Sequence, residues 1–183
     1  MSVLTLPMKT QFLTLIGLLA VLAGIGAAVF FFGGFFSVAA NHPDPNIVNW
    51  ALVHVREASI ARHATDRPLG SLDDPAQVRA GARAYSESGC ISCHGGPGVE
   101  PAKFSEGLNP PPNLKEVVND LLPQELFWVI KNGIKMTGMP SFGADKPPMS
   151  DQTIWTIVAF LKKMSSVSDE DFKAWSAASP GGH

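Results

Sequence analysis

The sequence predicts an all-α chain, on three observations. An uncharged run from Phe12 to Val38 is long enough for one membrane-spanning helix. Four later stretches, 47–64, 76–87, 121–132 and 151–163, place apolar residues at helical spacing between start and stop signals. The segments between them are marked by proline and glycine, which read as turns and loops.

The first element is the uncharged run. As a helix, Phe12–Val38 would extend about 40 Å at ~1.5 Å per residue. The apolar region of a secretory signal is shorter, ~7–15 residues, so an uncleaved anchor is favoured. A cleaved signal has two features in its favour. Lys9 precedes the run, and Val38-Ala39-Ala40 offers small residues to a peptidase. Flanking charge does not orient the segment, since Lys9 lies before it and Arg56, Arg62 and Arg67 lie after it. Ala20, Gly24 and Ala28 form a small-residue stripe of the kind that lets transmembrane helices approach closely.

Pro43 and Pro45 then break any helix, and Asn46 is a candidate cap. From Ile47 to Ala64 an amphipathic helix is expected, with Val48, Ala51, Leu52, Val55 and Ala58 on its apolar face. Trp50 suits a membrane interface. Such a helix can lie on headgroups, on a partner, or on the following domain. A linker, 65–74, follows.

Asp74 and Pro75 are N-terminal signals for a helix over 76–87. Gly81, in its interior, costs about 1 kcal/mol relative to Ala. A close helix crossing would explain it, and Tyr85 lies one turn on along the same face. After a proline-rich loop, the helix at 121–132 presents Leu126, Phe127, Val129 and Ile130 and stops at Gly133. Its Trp128 is either a core or surface aromatic or a hydrogen-bond donor to a cofactor. Ser150 caps the last helix, which runs to about Lys163 with Ile154, Ile157, Val158, Phe160 and Leu161 on its apolar side. One short turn is expected near Asp169–Trp175.

The chemistry centres on Cys90-Ile-Ser-Cys93-His94, which holds both cysteines of the chain. This spacing is the attachment signature of a c-type haem. Two thiols on one turn can form thioethers to one edge of the porphyrin, and the histidine that follows can ligate the iron. A zinc site or a redox dithiol are the alternatives. Zinc lacks a second cysteine pair, and the dithiol lacks a preceding strand. A carbonyl near Pro110 or Pro111 is expected to accept the His94 ring N–H. Met136, Met139 and Met149 are candidates for a second axial ligand, and His42, His54 and His63 are further ones. Met139, between Gly138 and Pro140, has the most restricted backbone of these.

From Asp74 to Met164 the chain resembles a class I cytochrome c. The likeness rests on Gly81 and Tyr85 before the Cys90–His94 motif, Asn132-Gly-Ile leading to Gly138-Met139-Pro140, and a closing helix with Ile157 and Phe160. The resemblance implies one covalent haem c, held by Cys90 and Cys93 with His94 proximal and Met139 distal. It also implies a class I cytochrome c fold, here with an N-terminal transmembrane helix and a juxtamembrane helix. Segments follow: a cytoplasmic N-terminus 1–11, an anchor 12–38, a juxtamembrane helix and linker 39–70, a cytochrome c domain 71–165 and a tail 166–183. More loosely, the chain resembles the membrane-tethered cytochromes of bacterial respiratory chains.

The expected role is electron transfer rather than catalysis, in the bacterial inner membrane with the haem domain in the periplasm. A quinol-oxidising complex or dehydrogenase would be the donor and a terminal oxidase or reductase the acceptor. Two other readings stand beside it: a fixed electron-transfer subunit of a larger membrane oxidoreductase, and a haem sensor or peroxidase in which Met139 dissociates. With 183 residues and net charge -2, no basic stripe supports nucleic-acid binding.

Overall fold

The computed structural model describes residues 7–39, 42–107 and 111–177. Residues 1–6, Ala40 of the candidate cleavage site, Asn41, the Pro110 carbonyl and positions 178–183 lie outside them. The described residues are helical with no strand; Gly96 and Val99 alone form an isolated bridge. The chain divides into two compact units, Met1–Asp44 and Pro45–His183.

The first unit is one helix, α1 (Met8–Phe32), with no buried side chain. It is long and apolar enough to cross a membrane. It stops before the uncharged run does, because Gly33 and Gly34, the latter at φ 79°, break helical geometry.

The second unit opens with α2 (Asn46–His63), which follows Pro45 without a side-chain cap. Asn46 is therefore a helical residue, not the cap expected of it. Only the end of α2 is buried, at Ile60 and at Ala64 just beyond it. The expected apolar face is mostly open, with Val55 67% exposed. Position along the helix, not periodicity, decides what packs: His63 near the C-terminal end stacks on Trp128 at 6.0 Å, while Trp50 lies tilted against His54 of its own helix.

Helices α3 (Pro75–Glu87) and α7 (Asp151–Lys163) form the centre of the domain. Asp74 accepts from Ala76 N at 2.9 Å and Ser150 from Thr153 N at 3.1 Å, so both expected caps are made. On α7 every residue from Ile154 to Leu161 is buried, which makes it the core helix rather than an amphipathic one. The two helices cross at Gly81. A Cβ there would collide with the Thr156 carbonyl oxygen and come within 2.9 Å of Phe160 Cβ. Tyr85 packs on Phe160 at 5.4 Å.

Between α3 and α7 come α4 (Cys90–His94), α5 (Leu114–Val117) and α6 (Pro123–Asn132). The short α5 interrupts what reads as continuous loop, because Asn113 caps it through Lys115 N at 3.1 Å. Phe127 of α6 stacks on Trp155 of α7 at 4.3 Å. Lys162 donates to the carbonyls of Val118 and Leu121, at 2.9 and 3.1 Å, and so ties the α5–α6 connection to α7.

After α7 the chain makes one more helix, α8 (Asp169–Ser176), capped by Ser168. Its Phe172 is 1% exposed and stacks on Phe160 at 5.5 Å. The 166–183 segment thus contributes a core residue to the domain.

Gly81→Ala is expected to destabilise the domain. Overpacking costs up to about 3 kcal/mol, offset by about 1 kcal/mol of helix propensity, so the net loss should be about 2 kcal/mol. Urea unfolding measures it; an unchanged midpoint would show that α3 and α7 have room to part.

Candidate haem site

The motif occupies a single helical turn. Gly89, at φ 78°, ends the approach from α3, and Gly95, at φ 64°, ends α4. Both positions demand a left-handed backbone that glycine adopts at little cost. Within the turn, Cys90 and Cys93 are three residues apart and so share a face, with His94 one residue on. All three are half-buried, and Cys90 and Ile91 pack at the edge of the core.

Burial pushes the Cys90 thiol up to about 11. A redox dithiol works as a thiolate, so this environment disfavours it. Among the described residues no three His, Cys, Asp or Glu side chains cluster as metal ligands would.

His94 Nδ1 lies 3.2 Å from the Pro112 carbonyl oxygen. The carbonyl can only accept, so Nδ1 donates and Nε2 keeps its lone pair. The acceptor is thus Pro112, at the end of the loop, rather than Pro110 or Pro111. Burial lowers the His94 pKa, opposed by the bond to Pro112, so the ring is held neutral as a metal ligand must be.

The turn after His94 is locked. Gly96 and Val99 exchange backbone bonds at 2.8 and 3.1 Å, and Ala102 N returns to Ser92 O at 2.9 Å. The Tyr85 hydroxyl donates to Gly95 O at 2.7 Å. Burial raises the phenol far above its ordinary range, so it remains a donor.

The three methionines differ in surroundings. Met136 sits at φ 63° and is 91% exposed. Met149 packs at the core edge and donates its N–H to Phe142 O at 3.0 Å. Met139 also packs at the core edge, and its backbone is paired on both sides. Its N–H donates to Thr137 Oγ1 at 3.1 Å, and its carbonyl accepts from Ile134 N at 3.2 Å. Gly133, at φ 70°, lets this loop approach: a Cβ there would lie 2.7 Å from the Pro140 carbonyl carbon.

In the α2 region, His54 and His63 each bond one ring nitrogen within their own helix. His54 Nδ1 meets Trp50 O at 2.8 Å and His63 Nδ1 meets Ser59 O at 2.7 Å. Trp128 is half-buried against His63. Three contributors carried no clear signal in the sequence: Phe172, Lys162 and the Tyr85–Gly95 bond. Thr137 had a weak one, since a threonine two residues before a key amide is a recurrent turn device.

The α3–α7 crossing at Gly81, the Cys-x-x-Cys-His turn that follows α3 and the Gly-Met-Pro loop before α7 are the features of a class I c-type cytochrome domain. Residues 76–161 match the family model described as cytochrome c oxidase, cbb3-type, subunit III. No curated protein and no solved structure matches the chain. The family implies haem c, and the Cys90–His94 turn fits it: two thiols on one face of a turn and an imidazole with Nε2 available.

Tyr85→Phe should cost about 1–3 kcal/mol, the penalty for leaving the buried Gly95 carbonyl without its donor. Equilibrium urea unfolding of the variant checks this; wild-type stability would mean that water replaces the hydroxyl.

Proposed function

We propose that this chain is a membrane-anchored mono-haem cytochrome c that carries single electrons. Cys90 and Cys93 form the thioethers to one haem c, His94 is the proximal ligand and Met139 the distal one. The observation that carries the reading is the pairing of both Met139 backbone groups within its loop, beside a solvent-exposed Met136. A thioether offered from so constrained a backbone suits a permanent ligand.

Bound haem c supplies a one-electron couple, and His/Met ligation places it at higher potential than two histidines would. A haem held by both His94 and Met139 would have no open position for substrate. This favours electron transfer over a sensor or peroxidase role. The Pro112 carbonyl makes His94 a more basic ligand. We place α1 in a bacterial inner membrane and the cytochrome domain in the periplasm, where haem is joined to thiols. The donor is a quinol-oxidising complex or a periplasmic dehydrogenase, and the acceptor a terminal oxidase or reductase. The tether raises the effective concentration of the domain near such partners.

A second reading, a fixed subunit of a larger membrane oxidoreductase, has two observations in its favour. The matched family is described as an oxidase subunit. The open face of α2, with Ile47, Leu52 and Val55 exposed, is a candidate assembly surface. Solubilisation in mild detergent separates the two: co-migration with large subunits supports the subunit, and a free species supports the tethered carrier.

Met139→Ala should abolish the thioether-to-iron band at the red end of the ferric spectrum and open the ferrous form to carbon monoxide. Met136→Ala should keep the band and exclude carbon monoxide. Retention of the band in Met139→Ala would transfer the distal role to another residue.

A further inference from the structure

We propose that α8 positions the proximal ligand, with Phe172 as a brace that sets the orientation of His94. The inference rests on the reading of His94 as a haem ligand and adds an element that the family match does not include. That match ends at residue 161, and α8 begins at Asp169.

The five residues after His94 form a turn that is packed on its inner side, with Gly98 and Val99 exposed. A Cβ on Gly95 would lie 2.6 Å from the Val99 carbonyl oxygen and 3.0 Å from Pro101 Cδ. Pro97 is fully buried. The remaining two glycines face α8. A Cβ on Gly96 would lie 2.9 Å from the Phe172 ring, and one on Gly98, at φ 66°, would lie 2.8 Å from the Asp169 carboxyl carbon. Side chains from the first turn of α8 therefore rest on backbone just beyond the ligand.

Behind Phe172 the support is continuous. Its ring stacks on Phe160 at an interplanar angle of 13°, and Phe160 packs on Tyr85. The Tyr85 hydroxyl returns to Gly95 O at 2.7 Å. Tyr85, Phe160 and Phe172 thus span α3, α7 and α8, and both ends of the set contact the Gly95–Gly96 backbone. A ligand ring is oriented by its backbone and by the bond at its second nitrogen. The Pro112 carbonyl provides that bond for His94, and the braced turn supplies the backbone constraint.

If Phe172 were core filler alone, its removal would lower stability and leave the ligand where it was. The full-length haem-loaded protein in detergent tests the difference, as wild type, Phe172→Ala, Phe172→Leu and Gly96→Ala. The haem methyl resonances in the proton NMR spectrum of the ferric form report axial-ligand orientation, and redox titration gives the potential. Phe172→Ala should change the methyl pattern and shift the potential. Phe172→Leu should return both toward wild type, and Gly96→Ala, which pushes the ring off the turn, should reproduce the Phe172→Ala change. A lower urea midpoint with wild-type methyl pattern and potential would overturn the brace. Should Phe172→Ala fail to fold, Gly96→Ala decides alone, and a wild-type pattern in it rejects the proposal. A wild-type spectrum without a histidine-ligated haem would overturn the His94 reading and the brace together.

Discussion

The close approach of α3 and α7 at Gly81 is the constraint on which the rest of the domain depends. With no Cβ between them, the backbone of α3 sits against Thr156 and Phe160. That contact fixes where α3 lies against α7, and α4 begins immediately after Ser88 and Gly89. Any separation of the two helices would carry the Cys90–His94 turn away from the core. Tyr85 makes the dependence chemical as well as geometric, since it packs on α7 and bonds to Gly95.

The two proposed iron ligands are held by different means. His94 lies in a short helix whose termini both need left-handed glycines, and its ring is oriented by a carbonyl 18 residues further on. Met139 lies in a loop with no regular structure, so its position depends on local bonds to Thr137 and Ile134 and on the space at Gly133. Lys162 connects the two regions indirectly. Its ammonium bonds to the carbonyls that close α5 and precede α6, and α5 follows directly on the Pro112 loop. The ammonium is half-buried, and two carbonyl acceptors offset the cost of its desolvation while fixing the connection.

What the sequence made legible was mostly local. The caps at Asp74 and Ser150 act within three residues, so their partners are visible in the same stretch. Gly81 was legible because an interior glycine needs a reason, and the crossing is that reason. The Cys90–His94 motif was legible because its chemistry requires that spacing. The open side of α2 was not. Periodicity picks out Val48, Ala51, Leu52, Val55 and Ala58, but what buries is Ile60, with Ala64 just beyond the helix, because only the last turn reaches the domain. Periodicity reports that a face is apolar and not what covers it. Phe172 was illegible for a related reason: a polar, eight-residue helix gives little sign of burying an aromatic until Gly96 and Phe160 are known to lie beneath it.

The same contrast bears on function. Under the proposed ligation, residues 94 and 139 would bind one iron from segments separated by α5 and α6, so haem c would act as a cross-link between distant parts of the chain. Binding that requires the folded arrangement is also folding free energy. Preformed ligand positions then have a specific benefit for a carrier of single electrons. Where the ligands need not move between oxidation states, little structural rearrangement accompanies each transfer. The locked turn after His94 and the doubly bonded backbone of Met139 are the features by which this chain meets that requirement, and a ligand that had to dissociate for substrate would be poorly served by them.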